Sequence, residues 1–345
     1  MPLADTLITD AGRIRALVYG PGKMRKTWWA LRAAEFGYRV LMFSGEDGHS
    51  IVRQLPPDAR ARVYILDWHD GPLDGYFATA MTVALKTGEF YVNEATRQIG
   101  NQPIGGSIRI DMRSFARDTV VVVDTWTALT NSLARRYAFE NNIDLADAQR
   151  TEWPGYRFAA MLATWYLSQL RSALKCHYIV VGHETVYEKY GKDPKDPKKQ
   201  GPLEYTRVQP LSTSNPHGKT IAKEFDHVLH FTSDSPKTVW IDTNGTEDED
   251  AGSRCLPNDR YSWDKLTFGQ LVVADGGTLP LEPAPPFDFP FVEDRLAKSG
   301  LRAPAPQAAP AIPPSFTSST ITPDNTLAVT QDALKAARPS ILLRK

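Results

Sequence analysis

The segment GPGKMRKT combines two glycines with a lysine that is followed directly by a threonine. It comes close to the pattern G-x-x-x-x-G-K-[ST], in which backbone N–H groups surround the phosphates of a nucleotide. In that pattern Lys26 would reach the β- and γ-phosphates, and the Thr27 hydroxyl would bind Mg²⁺. The predicted nucleotide-binding residues are Gly20, Pro21, Gly22, Lys23, Met24, Arg25, Lys26 and Thr27.

The segment departs from the pattern at one position. Arg25 stands where the pattern has the glycine that precedes the lysine. Glycine at such a place lets the main chain take backbone conformations that a side chain disfavours. Arg25 either points outward or adds a positive contact to a triphosphate, and the sequence leaves both alternatives open. The segment therefore predicts nucleotide binding, while Arg25 leaves nucleotide hydrolysis open.

Three further polar side chains follow apolar runs that are typical of strands. Asp124 ends the run TVVVVD and can hold the Mg²⁺ water shell opposite Thr27. Glu46 follows RVLMFSG and can act as general base toward an attacking water. His183 follows HYIVVG and can either sense the γ-phosphate or cap a loop. The predicted catalytic residues are Lys26, Glu46, Asp124 and His183.

The elements that must position these residues alternate between strands and helices. Short, continuously apolar runs indicate strands that are covered on both faces. They span Ile14–Tyr19, Arg39–Ser44, Arg62–Leu66, Thr119–Asp124 and His177–Gly182. Apolar residues at helical spacing predict helices over Lys26–Phe36 and Tyr156–Lys175. This alternation predicts an α/β fold with a mostly parallel, doubly wound sheet, whose strand ends meet at one edge.

The segments between these elements are less regular. Residues 85–118 form either a hairpin or a loop insertion, because turn residues separate two short apolar runs. The Lys, Pro, Gly and Asp residues that follow Gly182 favour a long mobile loop. The runs EFDHVLHFT and KTVWIDTNG then predict two more strands, antiparallel to each other at one edge of the sheet.

Composition limits the class of protein. The chain has 345 residues and a formal net charge of zero, so no global charge directs it to nucleic acid or membrane. Two cysteines far apart, no apolar signal core and no membrane-length apolar run favour a cytoplasmic protein. From residue 278 proline and alanine dominate. We therefore expect one ATP-binding domain over 1–277 and a disordered tail over 278–345 that holds a possible short C-terminal helix.

The order of these motifs is similar to that of a known family. The segments VYGPGKMRKT, VLMFSGEDG, VVVVDTWTAL and YIVVGHE resemble the RecA-like P-loop ATPase core over residues 12–243. More closely, the chain looks like the RecA-like nucleotide-binding proteins of bacteriophages, some of which are single-strand annealing or recombination ATPases. The resemblance implies ATP and Mg²⁺ as cofactors, with Glu46 at the place of the catalytic glutamate and His183 at that of the γ-phosphate sensor.

The resemblance also implies partners. In that family the loop after the sensor strand contacts single-stranded DNA, and here it would be Thr185–Pro216. Its lysines could neutralise phosphates, although a solvated loop is the alternative. They are Lys189, Lys192, Lys195, Lys198 and Lys199. RecA-like sites commonly lie between protomers, which implies a homo-oligomer, and the tail could recruit a protein partner.

Two functions follow from these expectations. The first is a Mg-ATP-dependent ATPase that acts on single-stranded DNA in phage recombination or replication, in the cytoplasm of a bacterial host. The second is a nucleotide-binding scaffold that binds ATP without hydrolysing it, because of Arg25, and that recruits partners.

Overall fold

The computed structural model describes residues 12–292, except for 71–74, 104–105, 142, 144–153, 193–199, 213–214, 236–237 and 246–250. The strands are β1 (Arg15–Gly20), β2 (Arg39–Ser44), β3 (Val63–Asp67), β4 (Glu89–Asn93), β5 (Ile99–Gly100), β6 (Ser107–Asp111), β7 (Thr119–Asp124), β8 (His177–Lys192), β9 (Gln200–Pro210), β10 (His227–Ser235), β11 (Thr238–Asp242), β12 (Gly252–Ser253), β13 (Arg260–Ser262) and β14 (Phe291–Val292).

Most of the strands form one large sheet. Among the described residues it has ten strands, with the order β13-β11-β10-β1-β8-β7-β2-β3, while β12 pairs with β10 and β9 with β8. The strands from β10 to β3 in this order run parallel to one another. Strands β11, β12, β13 and β9 are antiparallel to their partners. The predicted α/β fold with a mostly parallel sheet and antiparallel strands at one edge is confirmed.

Burial on both faces explains the continuous apolar runs. In β1, Leu17 and Tyr19 enter the core cluster on one face of the sheet, and Ala16 and Val18 enter the cluster on the other. The valines of β7 alternate in the same way. Because a parallel strand between two helical layers has no solvent face, every position can be apolar. The bounds predicted for β2 and β7 are confirmed to the residue, and those for β1 and β3 to within one.

The helices cover the two faces of the large sheet and follow its strands along the chain. They are α1 (Lys26–Leu31), α2 (Pro57–Ala61), α3 (Tyr76–Thr87), α4 (Trp126–Glu140), α5 (Pro154–Ala173), α6 (Asn215–Ile221) and α7 (Phe268–Ala274). A 3₁₀ turn over Arg32–Phe36 continues α1 as far as Gly37, whose φ of 89° ends it. The predicted helix over Lys26–Phe36 is thus split into an α part and a 3₁₀ part.

The expected long mobile loop after Gly182 is wrong for the residues that the structure describes. Strand β8 does not stop at Gly182 but continues without a break to Lys192. It pairs with β9 from Glu184↔Pro210 to Lys192↔Gln200. The two strands form a long antiparallel arm. The polar and charged residues there are compatible with a strand because both faces of much of the arm meet solvent.

A second, smaller sheet corrects the expected start of the tail. Its order is β14-β6-β4-β5, which confirms the hairpin alternative for residues 85–118 and adds a strand from beyond residue 278. The backbone N–H of Ala284 donates to the carbonyl oxygen of Gly37 at 2.8 Å. The rings of Phe287 and Phe289 stack with centroids 4.9 Å apart, and Phe289 meets Tyr64 edge to face at 4.9 Å. Ala284, Phe287 and Phe289 therefore attach this segment to the fold, and residues 293–345 lie outside the described residues.

Within the part of the chain that the structure describes, no helix is both long enough and apolar enough to cross a membrane.

Candidate functional site

Backbone register brings the sequence-predicted residues to one edge of the large sheet. Gly20 at the end of β1 lies opposite His183 in β8. Ser44 at the end of β2 lies opposite Asp124 at the end of β7, and the N–H of Gly45 donates to the carbonyl oxygen of Asp124 at 2.7 Å. The carboxyl ends of these parallel strands therefore meet, as expected of an α/β ligand site.

In the loop between β1 and α1, close backbone contact requires one of the two glycines, and two residues with side chains have left-handed backbone conformations. Gly20 has φ 147°, and a Cβ there would lie 2.2 Å from the carbonyl oxygen of Phe231 in β10. A Cβ on Gly22 would meet nothing within 4 Å. Lys23 and Arg25 have φ values of 63° and 60°, in the left-handed region that favours glycine. Arg25 thus takes a backbone conformation that glycine adopts more readily than arginine.

The side chain of Arg25 follows the outward alternative. It is exposed, and its guanidinium carbon lies 4.5 Å from the centroid of the Trp263 ring. Trp263 comes directly after β13, the edge strand of the large sheet. The guanidinium of Arg32 lies 5.6 Å from the same ring. The guanidinium of Arg25 therefore lies against the edge of the sheet that carries Trp263.

Lys26 lies inside the loop, only 5% exposed. Its ammonium group donates to the carbonyl oxygen of Gly20 at 2.9 Å and to that of Pro21. Burial lowers the pKa of Lys26 to about 8, against the attraction of the carboxylates of Asp124, Glu184 and Glu46. The ammonium is thus partly desolvated, which strengthens its attraction to an incoming phosphate oxygen.

Thr27 and Asp124 form the hydroxyl and carboxylate pair that a hard divalent cation prefers. The Thr27 hydroxyl lies 3.1 Å from both carboxylate oxygens of Asp124. Asp124 is 1% exposed, and burial raises its pKa to about 6. A divalent cation would stabilise the ionised carboxylate that burial disfavours. Oxygen ligands of this kind fit Mg²⁺, so the residues present are compatible with the predicted metal.

Glu46 is held by two polar partners. The Thr125 hydroxyl donates to Glu46 Oε1 at 2.7 Å, and His183 Nε2 lies 3.4 Å from the same oxygen. The contact with His183 lowers the pKa of Glu46, assisted by Thr125 and opposed by burial. Thr125 also caps α4, because its hydroxyl oxygen accepts from the N–H of Ala128 at 3.0 Å. Glu46 is thus an oriented, ionised carboxylate beside the loop.

A second carboxylate–histidine pair lies at this edge of the sheet and was not predicted from the sequence. His230 Nε2 lies 2.8 Å from Glu184 Oε2, and the ring of His230 stacks on Tyr19 at 4.5 Å. Glu184 is also close enough to Lys26 to affect its pKa. Sequence reasoning expected β10 to pair with β11 but had no signal that β10 also runs parallel to β1. Only that pairing brings His230 to the site.

Two of the five lysines predicted to bind DNA, Lys189 and Lys192, belong to the arm formed by β8 and β9. Lys189 Nζ lies 2.6 Å from Glu204 Oε2 across the arm, so its charge is paired. Lys192 is the last residue of β8. The remaining lysines, Lys195, Lys198 and Lys199, lie outside the described residues. The structure therefore groups the first two on one arm and does not place the others.

Comparison with solved structures finds distant similarity. No protein-family profile matches the sequence, and no curated protein matches it either. Among solved structures, the chain is similar to a crystal structure of the RadB recombinase, with 18% identity and a TM-score of 0.31. The alignment covers 68% of this chain and 84% of that one. The assignment of the site rests on its geometry and not on this similarity.

Proposed function

We propose that the chain is a RecA-like ATPase that binds Mg-ATP at the edge of the large sheet. One observation carries the proposal. The phosphate-loop lysine, the Thr27–Asp124 pair and the Glu46–Thr125 pair converge at that edge, although they come from three separate strand ends. A chance turn that resembled a phosphate loop would have no reason to face a buried carboxylate and an oriented glutamate.

Each side chain has a role in this proposal. Lys26 would exchange the loop carbonyl oxygens for oxygens of the β- and γ-phosphates. Thr27 and Asp124 would hold Mg²⁺, which would supply positive charge to the phosphates. Glu46 would accept a proton from a water molecule as that water attacks the γ-phosphorus. The bond from the γ-phosphorus to the bridging oxygen breaks, and ADP and inorganic phosphate leave.

His183 is suited to report which nucleotide is bound. It lies opposite Gly20, contacts Glu46 and belongs to β8, which continues into the arm. We propose that single-stranded DNA binds along the arm and that bound ATP alters that binding. The lysines that the sequence predicts to bind DNA would neutralise phosphates. Tyr190, which is 40% exposed, offers a stacking face.

The biological setting is part of the proposal and rests on the sequence resemblance. A RecA-like ATPase of this kind would act as a homo-oligomer in bacteriophage recombination or replication, inside the bacterial host. A protein partner could bind residues beyond 292.

Arg25 supports a second candidate function. An arginine in a left-handed conformation at the start of α1 is a costly feature for a catalytic phosphate loop. The alternative is a scaffold that binds ATP without hydrolysing it and recruits partners.

The two functions are separated by measuring ATP hydrolysis with Mg²⁺, in the presence and absence of single-stranded DNA. Lys26→Ala is the control for the loop, and replacing the arm between Glu188 and Thr206 by a short turn is the control for DNA. The ATPase is supported if DNA stimulates turnover and Lys26→Ala abolishes it. Removing the arm should then abolish only the stimulation by DNA and leave the basal turnover. ATP binding that requires Lys26 but gives no turnover supports the scaffold. Absence of ATP binding refutes both.

A further inference from the structure

The phosphate loop contains an unusual combination of residue and backbone conformation. Arg25 has φ 60° and ψ 15° at the position directly before α1. Residues with a Cβ avoid this left-handed region because the Cβ approaches the following carbonyl oxygen. The Arg25 carbonyl oxygen nevertheless accepts the first hydrogen bond of α1, from the N–H of Trp29 at 2.8 Å. A contact of the Arg25 side chain can offset the cost of this conformation.

Trp263 is the side chain placed to supply that contact. It lies 4.5 Å from the guanidinium carbon of Arg25, from ring centroid to Cζ. Its backbone is held by the sheet, because the backbone N–H of Trp263 donates to the carbonyl oxygen of Val239 at 3.3 Å and the residue follows β13 directly. The half-buried indole also packs against the core cluster that Met24 and Trp28 join. The ring is thus anchored to the edge of the sheet.

We propose that Trp263 is a positioning residue for the phosphate loop, and that its stack with Arg25 replaces the glycine that the loop lacks. The inference rests on the proposed nucleotide site. The stack holds the guanidinium on the indole and, through it, keeps the backbone of Arg25 in the left-handed turn. That turn directs the neighbouring N–H groups and Lys26 toward the phosphates. Without the ring, Arg25 would adopt ordinary conformations in which those groups point elsewhere.

The effect can be bounded from the nature of the contact. Cation–π contacts with arginine change an equilibrium by about 2- to 30-fold, the larger effect belonging to desolvated pairs. Arg25 is exposed and Trp263 is half-buried, so we expect a loss of about tenfold in nucleotide affinity when the ring is removed. The stack of Arg260 on Trp240, at 5.2 Å, provides a matched control, because it joins β13 to β11 and does not touch the loop.

The experiment measures the affinity of the full chain for ATP with Mg²⁺ in a set of variants. Trp263→Ala should weaken ATP binding about tenfold, whereas Trp263→Phe, which keeps an aromatic face, should retain most of the affinity. Trp240→Ala should bind like the original chain. In the Arg25→Gly background, Trp263→Ala should change the affinity less than about twofold, because glycine adopts the left-handed turn unaided.

The double variant separates positioning from packing. If Trp263→Ala weakens ATP binding only by disturbing the fold, the loss of affinity would persist in the Arg25→Gly background. It would also persist if the indole contacts the nucleotide directly. A persistent loss therefore overturns the proposal. Unchanged affinity in Trp263→Ala overturns it as well. If neither the original chain nor Arg25→Gly binds ATP, the nucleotide site itself is wrong. Thermal unfolding of each variant shows whether the fold is retained.

Discussion

Replacing Glu46 by Gln tests the assignment of the general base. The amide oxygen of glutamine can still accept the Thr125 hydrogen bond, which is 2.7 Å long, so the local structure should persist. What is lost is the charge and with it the ability to accept a proton from water. General-base catalysis contributes about 10²- to 10⁴-fold, which corresponds to about 2.7–5.4 kcal/mol in the activation barrier.

We therefore expect Glu46→Gln to lower kcat for ATP hydrolysis by 10²- to 10⁴-fold and to leave ATP affinity nearly unchanged. Affinity should persist because Lys26, Thr27 and Asp124 are untouched. The variant should also move the acid limb of Mg²⁺-dependent binding to lower pH, because the charge of Glu46 contributes to the raised pKa of Asp124. Single-turnover hydrolysis and equilibrium binding measure the two effects separately.

The matched control is Glu184→Gln. Glu184 is also a carboxylate at this edge, paired with a histidine at 2.8 Å and close to Lys26. We expect it to retain kcat within about tenfold. A Glu46→Gln variant that keeps more than a tenth of its turnover would refute the reasoning, and so would an equal loss in both variants.

Three further predictions concern protonation and the backbone. The pH profile of kcat/KM should fall below about pH 6, as Asp124 becomes protonated, and above about pH 8, as Lys26 loses its proton. Lys26→Arg should remove the alkaline limb from ATP binding, and an alkaline limb that stays near pH 8 would contradict the assignment. Burial lowers the pKa of His177 from 6.5 to about 4. As pH falls from 6.5 toward 4, His177 therefore binds a proton in the unfolded chain but not in the folded one, and the free energy of unfolding decreases. At pH 5 this costs about 2 kcal/mol, and His177→Gln should flatten that part of the pH dependence of thermal unfolding; an unchanged slope would exclude His177 as the cause. Gly20→Ala should destabilise the fold by several degrees, because its Cβ would meet a carbonyl oxygen at 2.2 Å, whereas Gly22→Ala should be tolerated; equal melting temperatures would show that the loop can relax.

The sequence predicted the centre of the fold well, because the central strands are buried on both faces. A short, continuously apolar and β-branched run such as TVVVVD is typical of a strand between two helical layers, and the polar residue that ends it falls at the carboxyl edge of a parallel sheet. The convergence of Asp124, Glu46 and Lys26 follows from that rule alone.

Features that depend on distant partners could not be predicted. The composition of β8 beyond Gly182 resembles a loop, and only pairing with β9 makes it a strand. The segment after residue 278 has the proline content of a disordered chain, but Phe287 and Phe289 find aromatic partners and order it. The guanidinium of Arg25 lies over the ring of Trp263, which no local sequence pattern connects with it.

The order of strands in the large sheet has a consequence for synthesis of the chain. Strand β1 carries the phosphate loop and is completed early, but both of its neighbours, β8 and β10, lie far toward the other end. At typical translation rates the roughly 160 residues that separate β1 from β8, the first of its neighbours to be made, take about 8–30 s to appear. During that time an apolar strand has no permanent partner, while β2, β3 and β7 can already pair. The strand that carries the phosphate loop is thus paired late, and the yield of folded protein should depend on how β1 is protected on the ribosome.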